Sequence, residues 1–135
     1  MAGGSVRGLV AAVLGLHYTG IELRAEQIAA NEKQVIPVLG EAPVTRPRWV
    51  EGDRLDVLPS ADDADLIFGC PPYFDLERYS DDPRDLSTMT TEQFTTAYRR
   101  MIALAAERLR PDATWCWSSA RPGASRTGCC GTCVA

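Results

Sequence analysis

The stretch Asp65-Leu66-Ile67-Phe68-Gly69-Cys70-Pro71-Pro72-Tyr73 decides how the rest of the chain is read. Residues Asp65 to Phe68 are mostly apolar and follow the acidic positions Asp62 and Asp63, the pattern of a short buried strand. Two successive prolines cannot continue a strand ladder, because neither has an N–H to donate. Pro72 also drives Pro71 towards extended geometry. The stretch therefore reads as a strand ending in a stiff loop that presents the ring of Tyr73. In open α/β sheets ligands bind beyond the C-terminal ends of the strands, and a rigid loop tipped by a flat ring suits a flat substrate. The plainer alternative is a strand stopped by a Pro-Pro turn, with Tyr73 as an ordinary half-buried ring.

The 135 residues amount to about one domain. With 45% hydrophobic and 24% charged residues, the composition is that of a folded chain. The 14 Lys and Arg residues are spread out and outnumbered by 18 acidic groups, giving a net charge of −4. A chain that gripped nucleic acid unaided would carry a basic face, so either nucleic acid is not the partner or the gripping part lies elsewhere. No apolar run reaches the ~20 residues of a membrane span, and the start lacks signal-peptide order. No membrane association and a cytoplasmic location are the default expectation. Cys130-Gly-Thr-Cys133 has the spacing of half a zinc site but no matching second pair, and the one histidine, His17, is distant, so no metal is expected.

Working outward, Gly3-Gly4-Ser5 precedes a helix with Val6, Leu9, Val10, Val13 and Leu14 on one face, and Ser5 is placed to cap it. A glycine turn entering a helix lets backbone approach a ligand closely, and the helix N-terminus favours an anionic group. Residues 17–23 read as a strand with Glu22 at its end. An acidic residue about 20 positions beyond such a turn is placed to bind ribose hydroxyls; it also fits a solvated start to the next helix, which runs from Arg24 to Lys33 with Ala25, Ile28 and Ala29 inward. Residues 35–48 hold three prolines and read as loop. Trp49 to Asp53 forms a short strand ending in a Gly52-Asp53 turn. Residues 74–87 read as a long polar loop. Thr90 and Gln93 form a capping box for a helix whose stripe is Phe94, Tyr98, Met101, Ile102, Ala105 and Leu109, with Pro111 beyond its end. Ala113 to Ser118 is a further strand, and the tail to Ala135 has no periodicity.

The glycine turn, Glu22, Asp53 and Cys70-Pro71-Pro72-Tyr73 form an ordered set. In that order they resemble the S-adenosylmethionine-dependent amino-methyltransferases of DNA, especially phage and prophage versions, over roughly residues 2 to 112. The resemblance implies an α/β, Rossmann-like three-layer sheet, incomplete here: the first strand and the C-terminal strands would be missing. It implies a partial catalytic domain over 1–112 and an irregular, frame-shifted or disordered tail over 113–135.

It also implies S-adenosylmethionine as cofactor, with Gly3, Gly4 and Ser5 at its methionine part, Glu22 on its ribose and Asp53 near its adenine. Cys70, Pro71, Pro72 and Tyr73 would form the catalytic loop. The reaction implied is methyl transfer to the exocyclic amine of an adenine or cytosine flipped out of DNA. Tyr73 would stack on that base, and the Pro71 carbonyl would accept from its amine. Cys70 stands where Asp, Asn or Ser is usual in the family. DNA binding would need regions beyond this chain, and an exposed sheet edge would favour self-association. Two alternatives stand beside this one. One is methylation of a protein glutamine, since that family shares an Asn-Pro-Pro-Tyr loop. The other is a catalytically inactive fragment or interaction protein.

Overall fold

A computed structural model describes residues 2–41, 43–70 and 78–117. The expected helix after the glycine turn is α1, Val6–Val13. Its buried face is Gly8, Leu9 and Ala12, whereas Val6, Val10, Val13 and Leu14 are more than half exposed. Of the apolar stripe expected from periodicity, Leu9 is packed and the other four residues are not. The reason lies at Gly8: a Cβ there would stand 2.9 Å from both Pro47 Cβ and Trp49 Cζ2. The helix presents its small residues so that its backbone can lie close to the Trp49 ring. Trp49 in turn meets Tyr18 edge-on, with ring centroids 6.1 Å apart.

The chain divides into two compact units, residues 1–54 and 55–135. In the first, β1 (Thr19–Glu22) pairs in parallel with β2 (Arg48–Glu51), Glu22 opposite Glu51. Parallel strands require a crossover, here α2 (Ala25–Glu32) and α3 (Val35–Leu39). The helix α3 corrects the expectation of loop over 35–48. Pro37 is its third residue, where the N–H it lacks would have no partner within the helix. Gly40, at φ 79°, stops the helix. Val35, fully buried, packs in a core with Ala2, Leu9 and Trp49, flanked by Tyr18, Ile28 and Leu39. The carbonyls of Tyr18 and Glu22 accept from Arg48 and Gly52 of the β2 side. The intervening Ile21 carbonyl faces the other edge of β1, where the Ala2 N–H meets it at 2.8 Å. In α2 the buried residue is Asn31, not the expected Ala25 or Ala29.

The second unit contains α4 (Arg54–Val57) from its second residue on, then a 3-10 turn at Leu58–Ser60 and the strand β3 (Ala64–Gly69). Another 3-10 turn, Leu86–Thr88, leads to α5 (Thr91–Ala106) and β4 (Leu109–Trp117). β3 and β4 are parallel, with Ile67 opposite Trp115 and Phe68 opposite Cys116. The strand was expected to be buried, yet Leu66 and Phe68 are 55% and 45% exposed. Period-2 alternation puts both on one face, and pairing with β4 covers an edge of β3, not that face. β4 starts four residues before the expected Ala113 and takes Leu109 from the helical stripe. Between Ala64 and Leu66 its register slips from Leu109 to Thr114. Pro111 has no N–H to pair and Asp112 has φ 65°, so Arg110 to Ala113 bulge from the ladder.

The capping box is formed as expected: the Thr90 hydroxyl accepts from the Gln93 N–H, and the Gln93 side chain accepts from the Thr90 N–H. Ala97, Met101 and Ala105, four apart, form the buried line of α5, and Phe94 stacks on Tyr98 at 5.4 Å. The loop before α5 is held by Asp85, which accepts from Ser80 Oγ, Ser87 Oγ and Ser87 N–H. Leu86, 1% exposed, anchors it. Among the described residues, no helix is long and apolar enough to cross a membrane.

Candidate functional site

The site is built at the start of the first unit. Gly3 adopts a left-handed backbone, φ 62°, which glycine reaches without the steric cost other residues meet. A Cβ added to Gly3 or Gly4 would have no heavy atom within 4 Å. The turn therefore lies open, with space over it. Ser5 occupies the N-cap position of α1, but its side chain does not cap. Its hydroxyl instead donates to Oε1 of Gln34. The Ser5 side chain is thus turned away from the first N–H groups of α1, at the helix end that favours negative charge.

The turn faces Glu22. The Gly3 N–H donates to Glu22 Oε2 at 3.0 Å, and the Arg24 N–H donates to Oε1 at 3.3 Å. Arg24 Nε lies 3.7 Å from the same Oε1. Glu22 is 5% exposed, and burial pushes its carboxyl up. The positive charge of the chain's α-amino group and the N–H groups of Gly3 and Arg24 overcome this, and the net direction is down. Glu22 therefore stays ionised. A carboxylate accepts through both oxygens, and Glu22 is the acid at the end of β1 beside the glycine turn.

Asn31 and Gln34 join the site, and the sequence reading had assigned neither. Asn31, 1% exposed, donates from Nδ2 to the Gly3 carbonyl at 2.9 Å. Their signal was a polar line on an otherwise ordinary helix: Arg24, Gln27, Asn31 and Gln34 recur at helical spacing. Asp53 follows Gly52, whose N–H donates to the Glu22 carbonyl at 3.0 Å. This fixes Asp53 just beyond the paired ends of β1 and β2. Both Asp53 and Arg54 are buried, and Arg54 Nη1 stands 3.7 Å from Asp53 Oδ1. Gly3, Ser5, Glu22 and Asp53 are thus assembled within one unit.

Cys70 belongs to the other unit. It immediately follows Gly69, the last residue of β3, and is a half-buried free thiol. Pro71, Pro72 and Tyr73 lie outside the described residues. Among the described residues, no three His, Cys, Asp or Glu side chains are grouped to hold a metal ion.

The chain matches no protein-family model and no curated protein. Among solved structures it resembles the SAM-dependent methyltransferase from Agrobacterium tumefaciens, with a TM-score of 0.63 at 20% identity. The match covers 93% of this chain and 38% of that one. At this identity the likeness is one of fold: a mixed α/β chain with parallel strands, spanning well under half the length of the protein it resembles.

Proposed function

We propose that this chain is a portion of an S-adenosylmethionine-dependent methyltransferase that acts on the exocyclic amine of adenine or cytosine in DNA. The observation that carries the cofactor reading is the Gly3 N–H on the Glu22 carboxylate, which sets an open glycine turn against a buried anion at a strand end. The residues fit the cofactor. Space over Gly3 and Gly4 admits its methionine part. The two oxygens of the Glu22 carboxylate match the two hydroxyls of a ribose. The fold likeness to a SAM-dependent methyltransferase supports the same reading.

When bound, S-adenosylmethionine supplies a methyl group on a positively charged sulfur. The chain's part is positioning. Glu22 would hold the ribose, the turn of Gly3, Gly4 and Ser5 would orient the amino-acid end, and Asp53 would serve the adenine. The loop Cys70-Pro71-Pro72-Tyr73 would receive the target: the Tyr73 ring would stack on the extruded base, and the Pro71 carbonyl would accept from its amine. The thiol of Cys70 is a weak acceptor, so the carbonyl bears most of that task. Recognition of a DNA sequence depends on basic regions beyond this chain, in keeping with the net charge of −4. Among the described residues each sheet has two strands, and a strand edge favours pairing with a further strand or a second copy.

The test is calorimetric titration of the chain and of Glu22→Ala with S-adenosylmethionine. Micromolar binding that the variant loses supports the site. No binding by either rejects a working cofactor pocket in this chain and favours an inactive fragment. Transfer of labelled methyl to duplex DNA, single-stranded DNA and a glutamine-bearing peptide then separates the DNA enzyme from the protein-glutamine one.

A further inference from the structure

Five residues of the first unit close a ring of hydrogen bonds. Arg24 Nη2 donates to Gln27 Oε1 at 3.3 Å, Gln27 Nε2 to Asn31 Oδ1 at 2.9 Å, and Asn31 Nδ2 to the Gly3 carbonyl at 2.9 Å. The Gly3 N–H then donates to Glu22 Oε2 at 3.0 Å, and the Arg24 N–H to Glu22 Oε1 at 3.3 Å. The ring has one possible direction. Arg24 can only donate and the ionised Glu22 can only accept, so both side-chain amides between them are fixed in orientation.

The ring's central member is Asn31. It is among the most buried residues of the chain, at 1% exposure, and neither the fold nor the proposed chemistry otherwise calls for a polar side chain there. A buried amide must find partners, and the one it donates to is the carbonyl of the left-handed glycine. Gly3 is thereby held from both sides, by Asn31 on its C=O and Glu22 on its N–H. We infer that Asn31 is a positioning residue for the cofactor site: it locks the glycine turn and the Glu22 carboxylate into one unit, so that neither can move without the other. This rests on the cofactor reading above.

The experiment uses the full chain, Asn31→Ala, Gln27→Ala, Glu22→Gln and the Asn31→Ala/Glu22→Gln double variant. Gln27 is only half-buried and its loss opens the same ring, so it carries the test if Asn31→Ala does not fold. Titration with S-adenosylhomocysteine is expected to show about tenfold weaker binding for Asn31→Ala and a smaller loss for Gln27→Ala. Glu22→Gln is expected to cost less when Asn31 is already gone, the mark of two residues acting as one. Strictly additive losses overturn the inference, as does unchanged affinity in variants that are merely less stable to urea. Amide hydrogen exchange, read without ligand, gives the independent arm. The Gly3 N–H is expected to exchange about tenfold faster in Asn31→Ala and Gln27→Ala. Unchanged Gly3 protection overturns the coupling. If the unaltered chain binds no S-adenosylhomocysteine while Gly3 is deprotected in the variants, the cofactor reading falls and the ring stands.

Discussion

Gly3 and Glu22, nineteen positions apart, meet through a 3.0 Å hydrogen bond from the backbone N–H of the first to Oε2 of the second. The bond joins the turn before α1 to the end of β1. It converts two features that are weak alone, a glycine pair and a strand-end acid, into one site. Removing the carboxylate leaves the Gly3 and Arg24 N–H groups without this acceptor. Glu22→Ala is therefore expected to lose about 1.5–3 kcal/mol of stability, the range for hydrogen bonds to a charged group. Urea denaturation followed by tryptophan fluorescence measures it, and a shift under about 0.5 kcal/mol would refute the bond's structural weight.

The same carboxylate makes stability depend on pH. Burial raises its affinity for a proton, but the α-amino charge and the N–H groups of Gly3 and Arg24 lower it further, so the folded chain binds that proton less tightly than the unfolded one. Stability from Glu22 is in full force above the ordinary glutamate value of about 4.3 and is lost as pH falls through the lower folded value. Urea midpoints measured from pH 7 down to pH 3 are expected to fall in the unaltered chain, and to fall less steeply in Glu22→Gln.

The glycines separate packing from ligand binding. Gly8→Ala places a methyl 2.9 Å from Pro47 and from the Trp49 ring. It is expected to cost about 1–3 kcal/mol through overpacking. Gly4→Ala meets nothing within 4 Å and is expected to leave stability within about 0.5 kcal/mol. Its methyl enters the space over the turn, so affinity for S-adenosylhomocysteine is expected to fall about tenfold. Thermal melts and calorimetry on the two variants check both expectations. Equal binding by Gly4→Ala and the unaltered chain would rule out the turn as the cofactor's seat.

In the second unit, Thr90→Ala removes the hydroxyl that accepts from the Gln93 N–H. The expected loss is about 1 kcal/mol, seen as a lower melting temperature. Thr95→Ala is the comparison. Thr95 lies within α5 and its hydroxyl donates to the Thr91 carbonyl, a back-bond that adds little to a helix. A larger effect at Thr95 than at Thr90 would refute the cap.

Where a local rule decides the outcome, the structure follows the sequence reading. Thr90 and Gln93 start α5 because the cap needs only three residues of chain. β1 ends at Glu22 as expected, and β3 runs one residue past the expected Phe68 to Gly69. The misread elements turned on distant partners. Of the apolar stripe Val6, Leu9, Val10, Val13 and Leu14 only Leu9 is buried, because Gly8 meets Trp49, forty-one positions away, and that close approach turns Gly8, Leu9 and Ala12 inward. α3 was hidden by Pro37, whose cost vanishes in a first turn. The early start of β4 depended on its register with β3, which periodicity in β4 alone does not carry.

By itself, the sequence determined an order of residue types along the chain: two glycines, an acid, a second acid, then Cys-Pro-Pro-Tyr. Strand alternation, glycine freedom and proline stiffness act over a few bonds, so they can be read without a fold. Tertiary structure alone decided that Gly3 would be gripped by Glu22 on one side and Asn31 on the other. Hydrogen bonds across nineteen and twenty-eight positions exist only once β1 and α2 are packed beside the turn. Burial then made them consequential, since a polar group excluded from water must be paired, and it turned an unremarked asparagine into the residue that holds the site together.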